Sequence, residues 1–102
     1  MKNPPTKWSL EFAEKAAKDF KKLDNETSRK VRNFIDHKLL STENPRLFGK
    51  ALVGNLKEFW RYRIGDYRLI CEIIDHKMLI IAVKIDHRSK VYKNVHLLKS
   101  PA

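Results

Sequence analysis

The segment Trp60-Arg61-Tyr62-Arg63-Ile64-Gly65-Asp66-Tyr67-Arg68-Leu69-Ile70 constrains the fold more than any other part of the chain, because it reads as a β-hairpin. Large apolar and charged residues alternate on both sides of a Gly-Asp pair, which is the period of strands folded about a two-residue turn of the Gly-X kind. With Gly65 and Asp66 as the loop, Ile64 pairs with Tyr67, Arg63 stands opposite Arg68, and Arg61 stands opposite Ile70. The three arginines then share one face. The other face carries Trp60, Tyr62 and Ile64 beside Tyr67, Leu69 and Cys71, and is a core surface. Like charges directly across a ladder destabilise it, so a strand pair selected for stability alone would rarely oppose Arg63 and Arg68. Recognition of an anion supplies a reason.

The rest of the chain supplies the elements that such a hairpin needs for a core. Met1 to Pro5 reads as a lead-in, and Thr6 to Glu11 as a short strand through Trp8 and Leu10. Ala13, Ala16, Ala17, Phe20 and Leu23 recur at helical spacing, which predicts an amphipathic helix from about Phe12 to Leu23. Asp24 and Asn25 end it and offer an N-cap to a second helix, whose stripe of Val31, Phe34, Ile35 and Leu39 runs to about Leu40, before the turn-rich Ser41 to Pro45. From Leu56 the period is that of strands: Leu56 to Ile64, Tyr67 to Ile74 and Met78 to Ile85, the last two joined by a tight turn at Asp75, His76 and Lys77. The 102 residues thus predict a single α+β domain spanning 1–102: an N-terminal strand, a helical hairpin and an antiparallel three-strand meander, with the helices on one face of a mostly antiparallel sheet. With an even-length turn between the last two strands, Ile81, Val83 and Ile85 share the arginine face and His87 follows them. That face is expected to be basic at one end and apolar at the other, forming a groove for a partner.

Charge and cysteine content narrow the function. Lys and Arg number 22 against 12 Asp and Glu, a formal net charge of +10, which favours nucleic acid or an acidic protein as partner. The helical lysines and arginines, Lys15, Lys18, Lys21, Lys22, Arg29 and Lys30 among them, read as a solvated face. Cys71, the one cysteine, falls in an apolar strand and is no candidate nucleophile. No apolar run has the length of a signal or a membrane span, so the cytoplasm is the simplest compartment and no membrane is involved. His37, His76 and His96 are dispersed without metal-ligand spacing, and neither metal nor cofactor is expected.

After the last strand, His87-Arg88-Ser89-Lys90-Val91-Tyr92 gathers an imidazole, a guanidinium and a phenol. Phosphodiester chemistry needs cations for the charge developing on phosphorus and a proton carrier for the attacking and leaving oxygens. An aromatic ring such as Tyr92 can stack on a splayed base.

The succession Gly54-Asn55-Leu56, Trp60-Arg61-Tyr62-Arg63, Gly65-Asp66-Tyr67-Arg68-Leu69-Ile70 and His87-Arg88-Ser89-Lys90-Val91-Tyr92 resembles the RelE branch of the RelE/ParE toxin superfamily. The resemblance implies a RelE-like, microbial ribonuclease-type fold and a toxin of a bacterial type II toxin-antitoxin pair. Such a toxin enters the ribosomal A site, contacts ribosomal RNA and cleaves mRNA without metal by attack of the 2'-hydroxyl on its own phosphate. It also implies a cognate, acidic, RelB-like antitoxin that wraps the toxin. The resemblance implies that Arg61, Arg63 and Arg68 are the phosphate clamp, that Arg88 supports the phosphate charge, that Tyr92 matches a tyrosine that stacks on the mRNA base or assists proton transfer, and that His87 or Tyr92 moves protons. Asp86 stands near the place of a further arginine in the best-known form of the family, and His87 with Arg88 resembles the variant of other branches. ParE proteins share the fold and inhibit gyrase, which is the alternative activity; the three hairpin arginines with Tyr92 favour RelE.

Overall fold

The hairpin forms in the register that its alternation requires, with Arg63 opposite Arg68, Arg61 opposite Ile70 and Ile64 opposite Tyr67. The computed structural model describes residues 6–93; the expected lead-in and His96 lie outside them. In chain order the elements are β1 (Ser9–Phe12), α1 (Glu14–Lys21), α2 (Asn25–Phe34), β2 (Gly49–Ala51), β3 (Phe59–Ile64), β4 (Tyr67–Ile74) and β5 (Leu79–His87). They build one five-stranded sheet of order β1-β5-β4-β3-β2, antiparallel except where β1 runs parallel to β5.

Both helices lie on one face. Ala16, Val31, Ile35 and Leu39 pack there against Trp8, Tyr62, Ile64, Leu69, Cys71, Ile80, Ala82 and Ile85, all buried. Asp24 caps α2 by accepting from the Thr27 amide at 3.3 Å, which satisfies one orphan donor of the first turn. The helix then widens into a π-turn over Ile35–Leu39, closed by the Leu40 amide on the Ile35 carbonyl at 2.9 Å, and both Ile35 and Leu39 stay buried across it.

Several expected boundaries shift for local reasons. Phe12 is a strand residue opposite Ala82, so the first helix begins later, at Glu14. Gly54–Leu56 is a short 3-10 turn, and β3 starts only at Phe59. Met78 adopts a left-handed conformation (φ 47°) that ends the turn before β5. A fourth difference is an added strand: β2, three residues long, pairs with β3 and extends the sheet beyond the meander.

The largest correction concerns the arginine face. Ile70 stands opposite Lys84 but Cys71 stands opposite Ala82, so Val83 is an extra residue, a β-bulge. Up to the bulge the parity is as expected, and Ile81 lies opposite Glu72. Beyond it every side chain changes face. Lys84 and Asp86 now accompany the arginines, whereas Ile85 joins the main core and His87 sets its ring edge-on against Tyr67, centroids 5.6 Å apart. Beside the bulge the Ile85 amide donates to Asp19 Oδ2 of α1 at 3.1 Å. Nor is the apolar end of the arginine face open. Phe59, Ile70 and Val91 form a second small core there, with Leu52, Leu56 and Val83 packed on it, because the chain after β5 folds back across the sheet.

Candidate functional site

The hairpin brings Arg61, Arg63 and Arg68 to the wall of one cleft of about 420 Å³, and β2 completes it with Leu47, Phe48, Gly49 and Lys50. The approach of β2 depends on a missing side chain. A Cβ at Gly49 would run into the Arg61 carbonyl oxygen and come within 2.8 Å of the rings of Trp60 and Tyr62. The preceding turn, Pro45–Phe48, is fastened to the sheet by three contacts. The buried Tyr62 hydroxyl donates to the Pro45 carbonyl at 2.9 Å, and Trp60 Nε1 donates to the Arg46 carbonyl at 3.2 Å. Arg46 stacks over Trp60 and makes a two-pronged bond to Asp75 at 2.8 and 2.9 Å, which holds the Asp75 carboxyl below its ordinary range. Burial pushes the Tyr62 phenol up, so it remains a neutral donor.

Charge in this cleft is uncompensated. Arg46 is paired with Asp75, and Arg88 Nε lies 3.7 Å from Asp66 Oδ1. Among the described residues no carboxylate pairs with Lys50, Arg61, Arg63 or Arg68. Asp86 stands opposite Arg68 in the ladder, but its carboxylate turns back to accept from the His87 amide at 2.8 Å. Arg68 is instead braced on the hairpin turn, where its Nη1 donates to the Gly65 and Tyr67 carbonyls, both at 2.9 Å. A turn with glycine first fits, since φ is +58° at Gly65 and is not positive at Asp66.

The segment after β5 delivers Tyr92 to this wall. The Arg88 amide hooks onto the Asp66 carbonyl at 2.7 Å, the Lys90 and Val91 amides both return to the His87 carbonyl at 2.9 Å, and Val91 is fully buried. The nearly buried Lys84 donates to the Lys93 carbonyl at 2.9 Å and fastens the far end. Arg61 Nη1 then donates to the Tyr92 hydroxyl at 2.9 Å. Since the guanidinium can only donate, the phenol proton points away from it.

His87 does not join this group. Its Nδ1 accepts from the Ser89 amide at 3.1 Å and lies 2.8 Å from the Ser89 hydroxyl. An amide can only donate, so in the neutral imidazole the proton resides on Nε2. Arg88 lies at the hairpin tip on Asp66. The sequence-predicted residues therefore fall into a cluster of Arg61, Arg63, Arg68 and Tyr92, with Arg88 beside the hairpin turn and His87 across the sheet. Lys50, Leu47 and Phe48 were not anticipated; the one usable signal was Gly49, since glycine in a strand marks close backbone approach. Burial pushes the Cys71 thiol up and keeps it inert. Among the described residues no three His, Cys, Asp or Glu side chains converge as metal ligands would, and no helix is long and apolar enough to cross a membrane.

The sequence model of a family described as ParE toxin of type II toxin-antitoxin system, parDE, matches residues 10–92. No curated protein sequence matches significantly. Among solved structures, the chain is similar to the toxin-antitoxin complex RelBE2 from Mycobacterium tuberculosis, with 28% identity and a TM-score of 0.73 over 81% of this chain and 100% of that one. It is also similar to the isolated E. coli RelE toxin (22% identity, TM-score 0.64, 88% of this chain and 96% of that one). The archaeal RelE-RelB complex from Pyrococcus horikoshii matches at 24% identity and a TM-score of 0.63, over 82% and 98% of the two chains. These last two likenesses are of fold.

Proposed function

The chain belongs to the ParE toxin family of type II toxin-antitoxin systems, within the RelE/ParE superfamily, and from that premise we propose that it is an endoribonuclease that cleaves mRNA in the ribosomal A site. The observation that carries the reading is the cleft of Lys50, Arg61, Arg63 and Arg68 without an acidic partner among the described residues. Four cations cost electrostatic self-repulsion in the free protein, and a phosphodiester relieves it. In the reaction the 2'-hydroxyl oxygen attacks the adjacent phosphorus and passes its proton to solvent, the bond to the 5'-oxygen breaks, and that oxygen takes up a phenol proton, which the phenol regains from solvent. The products are a 2',3'-cyclic phosphate and a 5'-hydroxyl, so no water is consumed. Arg61, Arg63 and Arg68 stabilise the extra negative charge on the pentacoordinate phosphorus, aided by Lys50. Tyr92, whose phenol accepts from Arg61, donates the proton to the leaving oxygen. His87 is the second candidate for proton transfer, and its place against Tyr67 across the sheet weighs against it. Arg88, engaged with Asp66, supports the neighbouring backbone charge.

The natural partner is an acidic antitoxin. The similar structures from M. tuberculosis and P. horikoshii are complexes of toxin with antitoxin, and the +10 chain favours a partner of opposite charge.

Primer extension on defined mRNA with purified ribosomes tests this proposal. The expected outcome is cleavage within the A-site codon, lowered about 10²- to 10³-fold by Arg61→Ala or Arg63→Ala. Because the matching family is named for ParE, gyrase inhibition is the competing activity. Absence of mRNA cleavage together with stalled gyrase on DNA would replace the nuclease reading by that one.

A further inference from the structure

The packing of Tyr92 does not by itself fix the place of its hydroxyl. The side chain is 40% exposed and stands with Leu47, Phe48 and Val53 among the large hydrophobics that the fold leaves uncovered. Its neighbours in sequence hold it instead. On one side Val91 is fully buried in the small core with Phe59 and Ile70. On the other side the Lys93 carbonyl accepts from Lys84 Nζ at 2.9 Å. Tyr92 is thus the single residue between two anchors, and there its hydroxyl meets Arg61 Nη1 at 2.9 Å.

The anchor at Lys84 is a costly one. Lys84 stands opposite Ile70 in the ladder and is only 7% exposed. Lysine is almost never buried to that degree without an anionic partner, because taking an ammonium out of water is unfavourable. Among the described residues no carboxylate pairs with it. An apolar side chain beside Ile70 would avoid that cost. What lysine adds is a donor on a long stem, and the acceptor that it meets is the carbonyl of the residue after Tyr92. The bulge at Val83 is what gives residue 84 this face, since in an unbroken ladder its side chain would turn toward the helices. Lys50, Arg61, Ile70 and Lys84 consequently form one row across four strands. The segment bearing Tyr92 is gripped by that row at two points, Arg61 on the phenol and Lys84 on the backbone. We infer that Lys84 is a positioning residue, which holds the Tyr92 hydroxyl on Arg61 by fixing the backbone just beyond it. The inference rests on the nuclease reading above and adds to it the group that keeps the proton donor in place.

Single-turnover cleavage on ribosomes and amide hydrogen exchange, both on the full chain, test the inference. Lys84→Met keeps the apolar stem and loses the donor, and is expected to cut about 10- to 100-fold more slowly. Lys84→Arg keeps a donor and should stay within about threefold of the unmodified protein. In Lys84→Met the Lys93 amide, which donates to the Lys90 carbonyl at 3.0 Å, should exchange at least about tenfold faster while the amides of β4 keep their rates. Added to Tyr92→Phe, Lys84→Met should slow cleavage by less than about a further threefold, because the hydroxyl that it positions is already gone. A normal rate in Lys84→Met, full additivity with Tyr92→Phe, no rescue by Lys84→Arg, or faster exchange throughout the sheet would each overturn the inference and leave the nuclease reading standing. Should Lys84→Met fail to fold, an ester in place of the peptide bond after Lys93, which weakens that carbonyl as an acceptor, replaces it. Slower cleavage by the ester protein then supports the inference, and an unchanged rate overturns it. Failure of the unmodified toxin to cut intact mRNA would remove the nuclease reading itself, and the role of Lys84 in proton transfer with it, whatever the exchange rates are.

Discussion

Gly49 sets the width of the cationic cleft by having no side chain. Its backbone is extended (φ −149°), so the need for glycine is one of space. Gly49→Ala forces β2 away from Trp60 and Tyr62, an overpacking that costs about 1–3 kcal/mol. In a domain of this size the melting temperature should fall by at least about 4 °C. An unchanged melting curve would mean that β2 sits more loosely than the contacts indicate. The two proton-transfer candidates differ at the same scale. Tyr92 touches Arg61, whereas His87 is engaged with Ser89 and Tyr67. Tyr92→Phe is expected to slow single-turnover cleavage while mRNA binding persists, since the ring remains and the hydroxyl is lost. His87→Gln should keep both the rate and its pH profile. A pH inflection that vanishes in His87→Gln would transfer the role to the histidine.

At the scale of elements, β5 decides which groups reach the site, and its bulge decides β5. The Asp19 carboxylate on α1 accepts the Ile85 amide just past Val83, so the helix helps to fix the phase of everything that follows. Asp19→Ala leaves that part-buried amide unsatisfied, at a cost of about 1–3 kcal/mol, while Asp19→Asn keeps an acceptor oxygen and should restore most of the stability. Thermal melts of the two variants check this; equal loss in both would point to the ion pair with Lys15 rather than to the amide. The same contact explains what could be read in the sequence. The hairpin register, the Asp24 cap and the two helices were legible because alternation, turn chemistry and capping are local. The inversion of Ile85 and His87 was not, since it depends on a carboxylate 66 positions away. Nor was β2, whose Gly49–Ala51 has too few residues to display a period and exists by pairing with β3. Arg61, Arg63, Arg68 and Tyr92 could be singled out as candidates because each belongs to a motif; Lys50, which lines the same cleft as the arginines, belongs to none.

At the scale of the molecule, the ion pairs among the described residues lie away from the cleft. Lys15–Asp19, Lys18–Glu14 and Lys30–Glu26 are paired along the helices at 3.5 Å, and Arg46–Asp75 and Arg88–Asp66 lie outside the arginine wall. Within the excess of +10, Lys50, Arg61, Arg63 and Arg68 converge on one cleft without an ion-pair partner among the described residues. Such a field acts mainly on encounter. Its range is the Debye length, about 30 Å at 0.01 M salt and 8 Å at 0.15 M. An acidic antitoxin should therefore associate at least about tenfold more slowly at 0.3 M than at 0.01 M salt. Its dissociation, governed by short-range contacts, should change by less than about threefold. Stopped-flow association measured against ionic strength separates the two rates. A partner whose association ignores salt would mean that the apolar rim of Leu47, Phe48 and Val53, rather than the arginines, guides capture, and Arg63→Ala would then leave the association rate unchanged. If the field does the steering, that substitution, at an exposed side chain with little packing to lose, lowers the association rate at low salt and has little effect at high salt.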